Sequence, residues 1–168
     1  TWSELGTTIE DCYFQDIDYG VVSYYPARNL TVSQCEFSVC SAAFEHTANA
    51  IVTDCRFDRY SGGCQFENNS SGGIYSSTFT DQMNFGISVI TGSVVTRVGN
   101  QVSGGDINLR LRAGSTVTGW DNVFAGGTYA TIYSSRGFIT LHGCHILNAG
   151  GPTIKLDAFV NPPLQTFD

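Results

Sequence analysis

The stretch Thr8-Ile9-Glu10-Asp11-Cys12-Tyr13-Phe14 returns as Thr31-Val32-Ser33-Gln34-Cys35-Glu36-Phe37 and again as Ile51-Val52-Thr53-Asp54-Cys55-Arg56-Phe57. Each copy reads a β-branched residue, two polar residues, a cysteine, any residue and a phenylalanine. A fainter fourth copy follows at Ile74-Tyr75-Ser76-Ser77-Thr78-Phe79, and three weaker ones open at Val95, Val117 and Leu141. The apolar anchors Ile9, Val32, Val52, Ile74, Val95, Val117 and Leu141 lie 20 to 24 residues apart. A fixed interval of this size marks a solenoid, in which each repeat is one structural unit.

A second strand recurs behind glycine after each motif, as in Gly63-Cys64-Gln65-Phe66-Glu67 and Gly86-Ile87-Ser88-Val89-Ile90. Both alternate apolar and polar, the period of a half-buried strand. Short strands joined by Gly, Ser and Asn turns cannot bury their inward side chains alone. Stacking successive coils about 4.8 Å apart pairs each strand with its equivalents above and below. The reading is an all-β, right-handed, single-stranded parallel β-helix of about seven coils, with residues 1–168 as one domain cut from a longer chain. A β-sandwich or jelly roll would share the strand spacing but would not return like residues to like places. A leucine-rich solenoid lacks its consensus here.

Stacking implies ladders. Cys12, Cys35, Cys55, Ser77, Val98, Trp120 and Cys144 are expected to form one. Phe14, Phe37, Phe57 and Phe79, continued by Asn100 and Asn122, are expected to form its neighbour. In this register the cysteines act as small apolar residues with parallel side chains, which argues for reduced thiols over a disulfide framework. Cys40 and Cys64 occupy other places in their coils, so a bond between them stays open. No C-x-x-C spacing is present, and His142 and His145 around Cys144 read as two solvated side chains; neither metal nor cofactor is expected.

Charged residues are 14% of the chain and the net charge is −7. With no basic stripe, nucleic acid is not an expected partner. No apolar run approaches the roughly 18 residues of a spanning helix, so no membrane partner is expected either.

The outer surface follows from the same ladder logic. With Phe44, Phe66, Val89, Leu109, Ile132 and Leu156 inward, the outward column reads Glu45, Glu67, Ile90, Arg110, Tyr133 and Asp157, with Tyr24 above Glu45. Glu45 and Glu67 then fall on adjacent coils, where repulsion raises the pKa of one and leaves an acid beside an ionised partner. They are the candidate catalytic pair. Tyr24, Arg110 and Tyr133 are the candidate substrate-binding residues, Tyr by stacking on a sugar and Arg by binding an acidic substituent. A second outward column, running through Glu36 and Arg56, offers a cross-strand ion pair of structural character.

The repeat resembles that of the pectin-lyase-like superfamily of parallel β-helices, over about residues 7 to 157. That superfamily includes pectate lyases, polygalacturonases, alginate epimerases and phage tailspikes. The resemblance implies a polysaccharide partner, hydrolase or lyase chemistry, and an extracellular or virion-surface setting. The Asn-Thr-Asp, Asp-Asp and Gly-His-Gly segments of polygalacturonases and the Asp-Pro-His-Glu of alginate epimerases are absent. Tailspikes, whose carboxylates follow no fixed motif, remain the nearest likeness. The competing expectation is a non-catalytic shaft or adhesin segment of a larger fibre. Solenoid ends need covering. Thr1–Gly6 is short for a cap, Ala158–Pro163 can stop pairing, and a homotrimer would supply further cover.

Overall fold

The computed structural model describes residues 6–24, 26–59, 62–147 and 149–157, and the backbone of a strand at 165–167. Every described strand pairs in parallel with its counterpart one coil away, giving three sheets. The first sheet has eight strands, from Thr7–Glu10 to Gln165–Phe167. The second has seven, from Tyr13–Gln15 to His145–Leu147, and the third has seven, from Tyr19–Ser23 to Ile154–Asp157. The chain visits the sheets in that order in each coil, the topology of a parallel β-solenoid.

One left-handed residue makes the corner between the first and second sheets in every coil. The φ values are 53° at Asp11, 53° at Gln34, 54° at Asp54, 47° at Ser76, 64° at Gly99, 52° at Asp121 and 57° at Gly143. Asp and Gly recur there because they tolerate that conformation better than branched residues do. The next residue turns back into the core and forms the first ladder.

That ladder runs Cys12, Cys35, Cys55, Ser77, Asn100, Asn122 and Cys144. The Cys55 amide donates to Ser77 Oγ at 3.1 Å, the Ser77 amide to Asn100 Oδ1 at 3.0 Å and the Asn100 amide to Asn122 Oδ1 at 3.1 Å. Val98 and Trp120 are not members, contrary to the sequence expectation; they stack outward with Tyr75 and His142 on the first sheet. The phenylalanine ladder is likewise continued by Val102, Phe124 and Ile146 and not by the asparagines. Its rings stack 4.4 to 4.9 Å apart from Phe14 to Phe79.

Both corrections have one cause. Opposite Ile74 in register stands Arg97, followed by Gly119 and then Leu141. Val95 and Val117 also face inward, two residues upstream, beside Gly72 and Ile139. A two-residue slip keeps every side chain on its own face, so hydropathy alone cannot detect it.

All six cysteines are free thiols, Cys40 and Cys64 included. Burial pushes the Cys40 and Cys55 thiols up to about 11, and that of Cys64 higher still. At the C-terminal end, residues 158–163, where pairing was expected to stop, lie outside the described residues. The first sheet nevertheless gains an eighth strand, Gln165–Phe167 paired with Ile139–Leu141. Residues 1–5 also lie outside the described set.

Candidate active-site cleft on the third sheet

The strands Ser41–Glu45 and Gly62–Glu67 pair with Phe44 opposite Phe66 and Glu45 opposite Glu67. Both phenylalanines are fully buried, which turns the two glutamates outward on neighbouring coils. One coil earlier Ser23 pairs with Phe44, so Tyr24 follows above Glu45 and is 65% exposed. Tyr24 and Glu45 border an open cleft of about 860 Å³, lined also by Pro26, His46, Asn68 and Asn69. A smaller hollow of about 180 Å³ continues it past Tyr19 and Gln65 to Glu67.

The lip of the cleft is built by left-handed turn residues, with φ of 51° at His46, 53° at Asn68 and 62° at Asn69. This conformation carries the Asn68 side chain back to Glu45, whose Oε1 accepts a hydrogen bond from Asn68 Nδ2. Among the described residues Glu67 has no such donor. Burial and then the Glu45 charge raise its pKa, while Arg110 pulls it the other way. The two carboxyls thus occupy unequal environments, one hydrogen-bonded by Asn68 and the other with its pKa raised by burial.

Arg110 is held in place: Nε donates to Ser88 Oγ at 3.0 Å and the guanidinium carbon lies 4.1 Å from the Phe85 ring centroid. Burial, then the charge of Arg112, lowers its pKa, and Glu67 opposes the shift.

Register splits the expected outward column in two. The inward series is Phe44, Phe66, Val89, Leu111, Ser134 and Leu156, with Leu109 and Ile132 in a parallel inward series. Glu45 and Glu67 therefore lead through Ile90 to Arg112, Ser135 and Asp157. Arg110 and Tyr133 belong to the neighbouring outward column, after Gln65 and Ser88. Arg110 still reaches Glu67 electrostatically. Tyr133 does not line the cleft: it is 8% exposed, packs with Phe85, Ile107 and Ala130, and donates its hydroxyl to Asp157 Oδ2 at 2.8 Å. His46, Asn68, Asn69 and Pro26 were missed by sequence reasoning, and the one signal for them was the Asn68-Asn69 dipeptide, which marks a turn.

Elsewhere Glu36 and Arg56 do face each other in register, without an ion pair within 4 Å; Arg59 and Asp58 form one at 3.7 Å. Among the described residues no three His, Cys, Asp or Glu side chains converge as metal ligands. The corner at Gly143 puts His142 on the first sheet, stacked 5.7 Å from Trp120, and His145 on the second. Among the described residues no helix is long and apolar enough to cross a membrane.

No curated protein matches the sequence. Two solved structures of trypsin-treated QnrB1, a plasmid-mediated fluoroquinolone resistance protein, show a weak likeness. One is 14% identical over 91% of this chain and 92% of that one, with a TM-score of 0.30; the other is 12% identical over 90% of each, with a TM-score of 0.28. Neither value supports a functional comparison. The profile described as "Right handed beta helix region" matches residues 2–158, and the chain belongs to that family.

Proposed function

We propose that the chain binds a polysaccharide in the Tyr24–Glu67 cleft and cleaves it with Glu67 as general acid and Glu45 as nucleophile. The observation that carries this reading is the in-register pair in unlike surroundings, Glu67 with its pKa raised and Glu45 hydrogen-bonded by Asn68. Paired strands stand about 4.8 Å apart, a backbone spacing that permits the 5–5.5 Å carboxyl separation of retaining glycosidases. Glu67 protonates the glycosidic oxygen as the bond to the anomeric carbon breaks, and Glu45 attacks that carbon to give a glycosyl ester. Water, deprotonated by Glu67, then releases the sugar and restores both carboxyls. Tyr24 forms a stacking wall, and Arg110 holds an acidic substituent.

The setting proposed is tailspike-like, extracellular or on a virion surface, within the pectin-lyase-like group of β-helices and with a homotrimer as the assembly. The experiment is reducing-end release from bacterial capsules and acidic plant or algal polysaccharides, comparing wild type with Glu67→Gln. Release that disappears in a folded Glu67→Gln protein supports the reading. No release from any polymer sinks it and leaves the shaft reading, which the unbroken three-sheet stacking favours.

A further inference from the structure

The outer face of the first sheet differs from the rest of the molecule in charge. Its central column reads Thr8, Thr31, Ile51 and Gly73, then Thr96, Thr118 and Thr140. One flank ends in Val94, Thr116 and Phe138, and the other in Tyr75, Val98, Trp120 and His142. Among these outward positions from Thr8 to His142, Glu10 at the first coil is the one carboxylate, and no Lys or Arg is present. Arg97, the arginine of this sheet, points inward and is fully buried. The third sheet, by contrast, carries Glu45, Glu67, Arg110, Arg112, Lys155 and Asp157 on its outer side.

A chain with 23 charged side chains (8 basic and 15 acidic) leaves this sheet face almost bare of them. Large uncharged β-surfaces invite association, and native proteins usually interrupt them with charge. The hydroxyls of Thr31, Thr96, Thr118 and Thr140 make no hydrogen bond to any other described residue, although side-chain hydroxyls elsewhere do, as Thr47 and Ser70 show. Val94 is 53% exposed, Phe138 46% and Trp120 40%, so apolar edges border the hydroxyl row. Parallel pairing repeats the row at about 4.8 Å.

We infer that this face is a second docking surface, one for an uncharged polysaccharide lying along the solenoid axis. A neutral sugar polymer repeats hydroxyl edges and apolar C–H faces along its length. Unspent threonine hydroxyls flanked by valine and aromatic edges match both. The lack of charge on the face fits a ligand that has none, and distinguishes it from the charged cleft on the third sheet.

The test is co-sedimentation of the full 168-residue chain with microcrystalline cellulose and chitin, with affinity electrophoresis in hydroxyethylcellulose and galactomannan. The wild type is expected to bind at least one of these with little change between 0.05 and 0.5 M salt, because uncharged contacts are barely screened. Thr118→Lys is expected to weaken that binding at least tenfold, and Gln101→Lys, the same charge change on the second sheet, to leave it within twofold. Should Thr118→Lys fail to fold, Val94→Lys at the exposed flank takes its place. Quenching of Trp120 fluorescence by the polymer, in a Trp2→Phe background, gives a direct readout. Absence of binding to all four polymers overturns the inference, and so does equal binding by both lysine variants. A wild-type dimer that Thr118→Lys disperses in sedimentation velocity also overturns it, since the face then covers a second copy of the chain.

Discussion

Arg97 faces Gly119 across the first sheet, and its guanidinium carbon lies 4.9 Å from the centre of the Phe124 ring. The side chain is fully buried, and Nε, Nη1 and Nη2 have no hydrogen-bond partner among the described residues. Gly119 is itself hemmed in: a Cβ there would stand 2.8 Å from Leu141 Cδ2 and 2.9 Å from Asn122 Nδ2. A cation in the solenoid core, without a carboxylate, works against the fold, and the ring face offsets only part of the lost hydration. Burial lowers the Arg97 pKa to about 10.

Arg97→Met is therefore expected to stabilise the protein. An unbranched apolar side chain keeps the volume and removes the stranded charge, and replacements of buried ionic groups by packed apolar ones gain about 1–4 kcal/mol. Urea unfolding should show a higher midpoint with an unchanged slope. A midpoint at or below that of wild type would mean that the guanidinium has stabilising partners. Gly119→Val should lose about 1–3 kcal/mol through overpacking.

The same two residues explain where the sequence was readable and where it was not. Coils one to three carry Cys and Phe at matching places, and coil four keeps the Phe with Ser77 in the Cys place, so their register was legible outright. In coils five and six the inward position of the anchor is held by Arg97 and Gly119, neither of which looks like core. Val95 and Val117 satisfied the pattern two residues early and drew the cysteine and phenylalanine ladders with them. On the third sheet Ile107, Leu109 and Leu111 are all buried, so alternation allowed two registers and put Arg110 in the Glu67 column. The Glu45–Glu67 pairing survived because Phe44 and Phe66 fix it locally. The cleft's lip was not legible, since the left-handed turn at Asn68 is a backbone property that composition only hints at.

Asn122 is the most connected ladder residue. Its Nδ2 donates to Arg97 O at 3.1 Å and Trp120 O at 2.9 Å, and its Oδ1 accepts from the Asn100 amide and from Asn100 Nδ2 at 3.0 Å. Asn122→Leu keeps the size but strands those groups inside the core, at about 1–3 kcal/mol for each buried group left unpaired. Thermal melts should place it well below Ser77→Ala, which removes a single hydroxyl. Equal melting temperatures would mean that the ladder amides contribute little.

The thiols set the alkaline limit. Cys40 and Cys55 have folded pKa values near 11 against an ordinary value of 9.0, so the folded state holds their protons longer than the unfolded one. Their contribution is complete below pH 9 and is lost as pH rises through 11. Arg97 acts in the opposite sense above pH 10, where its deprotonation relieves the fold. In an Arg97→Met background the urea midpoint should fall between pH 9 and 11, and the fall should shrink when Cys55→Ala is added. Reductant should leave the melting temperature unchanged, because all six cysteines are thiols.

Glu67 ties stability to the proposed chemistry through one carboxyl. Its folded pKa is raised by burial and by Glu45, so the folded state binds a proton more tightly than the unfolded state. The associated stability is present below the ordinary carboxylate pKa and disappears as pH climbs through the raised value. Glu67→Gln removes both the desolvated charge and its repulsion with Glu45. It should therefore melt higher than wild type at pH 7, by about 0.2–1 kcal/mol for a like-charge pair on adjacent strands. At pH 4 the two proteins should converge. A variant that is more stable at pH 7 yet releases no reducing ends carries the signature of a group strained in the service of catalysis. If the variant melts lower than wild type at pH 7, Glu67 is held by favourable contacts, and the acid role assigned to it loses its physical basis.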